Sequence, residues 1–356
     1  MNERIAMLAS DNASGIHPSV LRWLERVNRG HALGYGGDAY TREAEQRFRE
    51  VFGEHVSVLL VTTGTAANVL ALQALAQSID TVFCSDKAHL LVDECGAPER
   101  MIGCKLVGVK SDAGKIDLQA LAEAVSFQTG MVHRNRPRVL SLSQATECGT
   151  LYSVAEMQAL IAFAHDKGLK VHLDGARLAN AAAALGVPLA GLTSDLGVDL
   201  LSFGGTKNGL MAAEAIVAFD PSLAGILPAI RKQGMQLVSK HRFLAAQYLA
   251  YFEDDLWLRN AAHANRMAAR LAEGLSRFGQ VRLAAPVEAN MVFAHIPAEW
   301  IAPLQRHSYF NVWNPATSEV RFVTSFDTTE QDIDAFVGKI ATLAHTEDDH
   351  EHDRSL

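Results

Sequence analysis

The chain has 356 residues, 49% hydrophobic and 20% charged, with 32 Lys plus Arg against 40 Asp plus Glu for a formal net charge of −8. That much apolar surface offsets chain entropy and excludes an intrinsically disordered protein, and the acidic balance excludes nucleic-acid binding driven by overall charge. At about 150 residues per domain, the length suggests two domains or a little more.

The N-terminus holds five apolar residues at 5–9, too few for the core of a signal peptide, and no window approaches the roughly 18 apolar residues of a membrane span. Cys84, Cys95, Cys104 and Cys148 fit no C-x-x-C spacing. They read as reduced thiols, so a cytoplasmic protein without a metal site, membrane partner or nucleic-acid partner is expected.

β-Branched runs predict strands at 55–61, 81–84, 105–109, 138–143, 170–174, 198–203 and 215–219. Ala/Leu-rich runs predict helices at 20–29, 42–52, 66–77, 118–125, 154–167 and 176–184. Strand-then-helix alternation points to an α/β domain around a mostly parallel sheet, with ligands at the carboxyl ends of the strands. Beyond 220 the pattern changes. One long helical stretch covers 221–251 and carries Arg231, Lys232, Lys240 and Arg242; a second covers 257–278. Short strands at 281–283, 291–295 and 320–324 follow, then a helix at 330–343. The expected division is an N-terminal segment 1–20, a large α/β domain 21–254, a small C-terminal α+β domain 255–345, and a disordered, acidic, His-containing tail 346–356.

Three runs carry chemistry. Val61-Thr62-Thr63-Gly64-Thr65-Ala66-Ala67-Asn68 joins a strand to an apolar helix. It reads either as a plain N-cap or as a cup in which helix amides and the helix dipole hold a phosphate. In Val171-His172-Leu173-Asp174-Gly175-Ala176-Arg177 the aspartate ends a strand, as an N-cap or as the partner of a cation in the cleft. Leu201-Ser202-Phe203-Gly204-Gly205-Thr206-Lys207-Asn208-Gly209 holds a lysine in a glycine-flanked turn, where desolvation makes an amine nucleophilic and the glycines let a cofactor lie near the backbone. The combination is more specific than its parts. A phosphate cup, an aspartate, and a lysine 33 residues later are what pyridoxal 5′-phosphate requires: an anchor, a partner for the pyridine nitrogen, and a Schiff-base amine.

Together with Ser10-Asp11-Asn12, Gly34-Tyr35-Gly36-Gly37-Asp38, Asp93-Glu94-Cys95-Gly96-Ala97-Pro98-Glu99 and Asp174-Gly175-Ala176-Arg177, the run Phe203-Gly204-Gly205-Thr206-Lys207-Asn208-Gly209 resembles the L-threonine aldolase family, in its low-specificity bacterial branch. That family belongs to the fold-type I pyridoxal phosphate enzymes and the β-eliminating lyase group.

The resemblance implies a mostly parallel central sheet, a smaller C-terminal α+β domain, and aldol cleavage of L-threonine, L-allo-threonine and aryl serines to glycine and an aldehyde. It implies Lys207 as the Schiff-base lysine, Asp174 on the pyridine nitrogen, Thr63, Gly64 and Thr65 on the phosphate, and His89 stacked on the ring. His133 falls at a second active-site histidine. Arg321, with Ser10 and Arg177, falls where the substrate carboxylate is forked. Tyr35 matches a tyrosine entering from a neighbouring subunit, and Lys232 and Arg242 match phosphate contacts across that interface, so a homo-oligomer with shared sites is expected. Alternatives are a β-eliminating lyase or aminotransferase using the same cofactor, or a non-catalytic binder of it.

Overall fold

The computed structural model describes the backbone of residues 7–354 and the side chains of residues 7–345. The chain divides into two compact units, Ile16–Leu258 and the combination of Met1–Gly15 with Arg259–Leu356. This differs from the expected division: the N-terminal segment is grouped with the C-terminal residues rather than standing apart, and the junction falls at Arg259 rather than 255.

The larger unit is built on seven of nine strands: β1 (Ser57–Val61), β2 (Asp80–Ser85), β3 (Lys105–Val109), β4 (Ser111–Asp112), β5 (Lys115–Ile116), β6 (Arg136–Ser143), β7 (Lys170–Gly175), β8 (Leu200–Gly204) and β9 (Glu214–Ala218). The sheet order is β1-β9-β8-β7-β6-β2-β3, with β4 and β5 forming a separate hairpin. Strands β3, β2, β6, β7 and β8 pair in parallel, and β9 alone runs against its neighbours β8 and β1. Strands β2, β8 and β9 are buried along their whole length, as expected where helices cover both faces. The mostly parallel α/β fold read from the alternating pattern is therefore the observed one.

The long helix expected at 221–251 is broken. Helix Leu227–Gln233 stops, and Arg242–Phe252 begins afresh. A left-handed residue marks the break. Met235 adopts φ 60, a left-handed conformation that a helix cannot contain. Gly234 presses on Leu70, where an added Cβ would sit 2.4 Å from Cδ2. The released segment is fastened by Gln236, whose Oε1 accepts both the amide of Thr62 at 3.0 Å and its hydroxyl at 2.7 Å.

The smaller unit has an antiparallel sheet of β10 (Arg282–Leu283), β11 (Met291–His295), β12 (Asn311–Asn314) and β13 (Glu319–Val323), in the order β10-β11-β13-β12. Its core gathers Trp300, Phe310, Phe322 and Phe336, all buried. Leu8 stitches the N-terminal segment to it, donating its amide to Tyr309 and accepting from the amide of Val323, both at 2.8 Å. The last helix spans Glu330–Arg354, so most of the stretch expected to be disordered continues that helix; residues 355 and 356 lie outside the described ones. Among the described residues no helix is long and apolar enough to cross a membrane.

Candidate active site

The carboxyl ends of β1, β2, β6, β7 and β8 open into one cleft, the place where open α/β sheets bind ligands. Gly64, Thr65, Asn68, His89, Glu94, Glu147, Asp174, Arg177, Lys207 and Glu214 are among its lining residues.

Helix Gly64–Leu75 starts at the lip. Thr63 caps it, its hydroxyl accepting from the Ala66 amide at 3.2 Å, so Thr63 serves the helix itself. The amides of Gly64 and Thr65 are then the first-turn donors at the cleft, the arrangement that holds an anion. A Cβ added at Gly64 would meet nothing within 4 Å.

Asp174 ends β7 and is buried. Its Oδ1 accepts from the Ala176 amide at 3.0 Å and its Oδ2 from Asn68 Nδ2 at 2.8 Å. The same Asn68 nitrogen donates to Glu94 Oε1 at 2.8 Å, and Glu94 Oε1 accepts from His89 Nδ1 at 2.9 Å. This bond raises the imidazole pKa above its ordinary value, with burial opposing it and Asp174 assisting. Beneath Asp174, His172 is fully buried between Ser141 Oγ at 2.8 Å and Ser202 Oγ at 2.9 Å. Burial pushes its pKa down to about 4.

Lys207 sits in the one-turn helix Thr206–Asn208, which Gly209 closes at φ 103. The turn is held from both sides. Glu214 on β9 accepts from the amides of Gly205 at 3.0 Å and Thr206 at 3.4 Å. Asn208 Nδ2 donates to Tyr251 Oη at 2.7 Å and to the Trp257 carbonyl at 2.9 Å. Gly204, which lines the cleft, and Gly205 have a reason to be glycine besides the ligand approach expected from the sequence. A Cβ on Gly204 would lie 2.5 Å from the Ala176 carbonyl oxygen, and one on Gly205 would lie 2.3 Å from Leu210. Close packing of the chain against itself requires both.

The cleft thus brings together Gly64, Thr65, His89, Asp174, Arg177 and Lys207. It does not bring in His133, which stands exposed in the turn before β6, at the opposite end of the sheet from the cleft. Tyr35 is 58% exposed on a left-handed turn, with Lys232 Nζ 5.8 Å from its ring centre; neither lines the cleft. Arg242 donates to the Gly30 carbonyl at 3.3 Å, also away from the cleft. Ser10 and Arg321 belong to the smaller unit. There Ser10 caps the turn Asp11–Ala13, and Arg321 on β13 lies over Trp313 at 4.9 Å.

Sequence reading missed Asn68, Glu94, Glu147 and Glu214 as cleft residues. Asn68 and Glu94 stood inside quoted motifs, and Glu147 follows the predicted strand 138–143 at its carboxyl end, which was the available signal. The donor set suits pyridoxal 5′-phosphate: first-turn amides for a phosphate, a buried carboxylate for a pyridinium, an imidazole and a primary amine. Three of the lining residues also carry buried oxygens without a protein partner, Asn68 Oδ1, Glu94 Oε2 and Glu147 Oε2, an uncommon state that calls for a bound group or water.

Sheet order and cleft define the fold of the type I pyridoxal phosphate enzymes. An aspartate aminotransferase from Thermus thermophilus shares that fold at 14% identity and a TM-score of 0.69, over 95% of this chain and 92% of that one. Within this class, the chain belongs to the β-eliminating lyase family, whose profile matches residues 7–298. It is 41% identical to a low specificity L-threonine aldolase of Pseudomonas sp., over 93% of this chain and 95% of that one. A Leishmania major threonine aldolase structure superposes with a TM-score of 0.89 at 28% identity, over 95% of this chain and 99% of the other.

Proposed function

We propose that the protein is a lyase that cleaves L-threonine, L-allo-threonine and related β-hydroxy-α-amino acids, aryl serines included, to glycine and an aldehyde, with pyridoxal 5′-phosphate as cofactor. The observation that carries this is the convergence of Asp174, His89, Lys207 and the start of helix Gly64–Leu75 on one cleft, in a chain 41% identical to a named L-threonine aldolase.

Each residue has a defined task. The Gly64 and Thr65 amides would hold the phosphate. Asp174, fixed by Asn68 and by the Ala176 amide, would keep the pyridine nitrogen protonated. His89 would lie against the ring, its orientation set by Glu94. Lys207, on its doubly tethered turn, would present its amine to the cofactor aldehyde. When bound, the cofactor supplies an electron sink for the pair left on the substrate Cα. Arg177 would meet the substrate carboxylate, and the resemblance assigns Ser10 and Arg321 to the same carboxylate. Holding that group fixes which bond at Cα breaks, and so selects carbon–carbon cleavage over proton loss.

The exposed apolar side chains of Leu33 (75%), Tyr35 (58%) and Met235 (81%) support assembly with further copies, Tyr35, Lys232 and Arg242 serving a neighbour's cleft. Cys84, Cys95, Cys104 and Cys148, none of them in a disulfide, support a reducing, cytoplasmic setting.

The test is product analysis with L-threonine and L-allo-threonine. Glycine and acetaldehyde are expected; ammonia and a keto acid, or dependence on an amino acceptor, would reassign the activity. Lys207→Ala should lower the rate about a thousandfold or more. Retained activity would end the assignment. Arg321→Ala should raise KM steeply, and an unchanged KM would remove it from the carboxylate site.

A further inference from the structure

Four carboxylates line the cleft: Glu94, Glu147, Asp174 and Glu214. Their protein partners set them apart. Asp174 has an acceptor bond on each oxygen, and Glu214 is committed to the amides of Gly205 and Thr206. Glu94 shares the feature of an unpartnered Oε2, but its Oε1 is paired with the titratable His89 imidazole and with Asn68 Nδ2. Glu147 differs. Its Oε1 accepts from the His89 amide at 2.8 Å and the Ser143 hydroxyl at 2.7 Å, both neutral donors, and its Oε2 is enclosed with no protein partner. One oxygen of the carboxyl is therefore tied down, while the other is closed off from solvent without a protein partner, in a residue that lines the cleft.

We propose that Glu147 takes the proton of the substrate's β-hydroxyl, on Oε2, as the Cα–Cβ bond breaks. This rests on the aldol-cleavage reading above. The O–H pair becomes the second carbon–oxygen bond of the aldehyde, and the Cα–Cβ pair remains on Cα. Glu147 then returns that proton to solvent and Cα takes up one proton by a separate route, so no proton is consumed over the cycle.

The surroundings tune this carboxyl for the task. Burial raises its pKa, the nearby Asp174 charge raises it further, and the bonds from His89 and Ser143 oppose both. A general base works best with a pKa near the working pH. The titratable groups that face it are Asp174 on β7, His89 after β2, Cys84 on β2 and Tyr152 in the loop after β6. The Cys84 thiol and Tyr152 phenol are themselves pushed up, mainly by burial, with the Glu147 charge contributing.

The test uses the holoenzyme and two reactions of one site. Cleavage of L-threonine needs a base at the β-hydroxyl. Exchange of the glycine Cα proton with D2O needs the cofactor and Lys207 but has no β-hydroxyl. Glu147→Gln keeps an oxygen for His89 and Ser143 and removes the base. It should lower kcat for cleavage by about 10²–10⁴-fold. Glycine exchange and the absorption band of the lysine-bound cofactor should stay within about twofold of wild type, and the acid limb of the cleavage pH profile should be lost. Glu147→Asp, which keeps the carboxylate, should recover part of the cleavage rate. Unchanged cleavage in Glu147→Gln would overturn the proposal, as would an equal fall in cleavage and exchange or a lost cofactor band with no recovery in Glu147→Asp. A wild-type chain that exchanges glycine but cleaves no β-hydroxy amino acid would overturn this proposal together with the aldolase reading.

Discussion

Two glycine-bearing turns flank the cleft, and their glycines meet opposite surroundings. At Gly204 and Gly205 a Cβ would collide with the Ala176 carbonyl or with Leu210. At Gly64 it would enter open space. The first pair is dictated by the way β8 and the Lys207 turn lie against the rest of the chain. Gly64 meets no such internal obstacle. A glycine beside a reactive group therefore says nothing about ligand approach until its neighbours are known.

Gly204→Ala sharpens that contrast most. Its obstacle is backbone, which cannot swing aside, so about 3 kcal/mol or more of stability should be lost, read by urea unfolding of the holoenzyme. A change under about 0.5 kcal/mol would show that β8 tolerates displacement. Asn208→Ala acts on the same turn without a clash. It removes two buried hydrogen bonds and leaves the Trp257 carbonyl without its donor, for a loss of about 1–3 kcal/mol with a matching fall in the melting temperature.

His172 tests the floor beneath Asp174. Its folded pKa lies below the unfolded value, so its contribution to stability is complete above about pH 6.5 and declines as the pH falls toward about 4. The difference corresponds to about 3 kcal/mol, so urea midpoints for wild type should drop across this interval more than those of His172→Gln. Equal slopes would mean that the imidazole is not held neutral. The smallest stability effect belongs to Gly64→Ala. Stability should stay within about 0.5 kcal/mol or rise slightly, since alanine favours helices. Pyridoxal phosphate binding, followed by fluorescence titration, should weaken. Unchanged binding would move the phosphate away from this helix start.

Much of this was readable from the amino acids because the strongest signals are local. Strand-helix alternation exposed the parallel sheet, and Asp174 at the end of one strand and Lys207 in the turn after another stood where the fold puts ligands. The break after Gln233 was hidden because it depends on a methionine in a left-handed conformation, a state that no propensity for methionine announces. His133 misled because a loop histidine near a strand looks alike at either end of the sheet; only the direction of β6 separates them. Asn68, Glu94 and Glu147 escaped because hydrogen bonds between residues 26, 58 and 106 positions apart leave no spacing to recognise.

Gln236 closes the account of that break. By accepting both donors of Thr62, it fixes the register of the segment after Gln233 against the end of β1, one residue before the cap of helix Gly64–Leu75. A single-residue insertion between 233 and 236 would uncouple the two, so this stretch has to change by substitution rather than by length. Engineers who want a roomier neighbourhood for the phosphate should graft around that clasp, not through it.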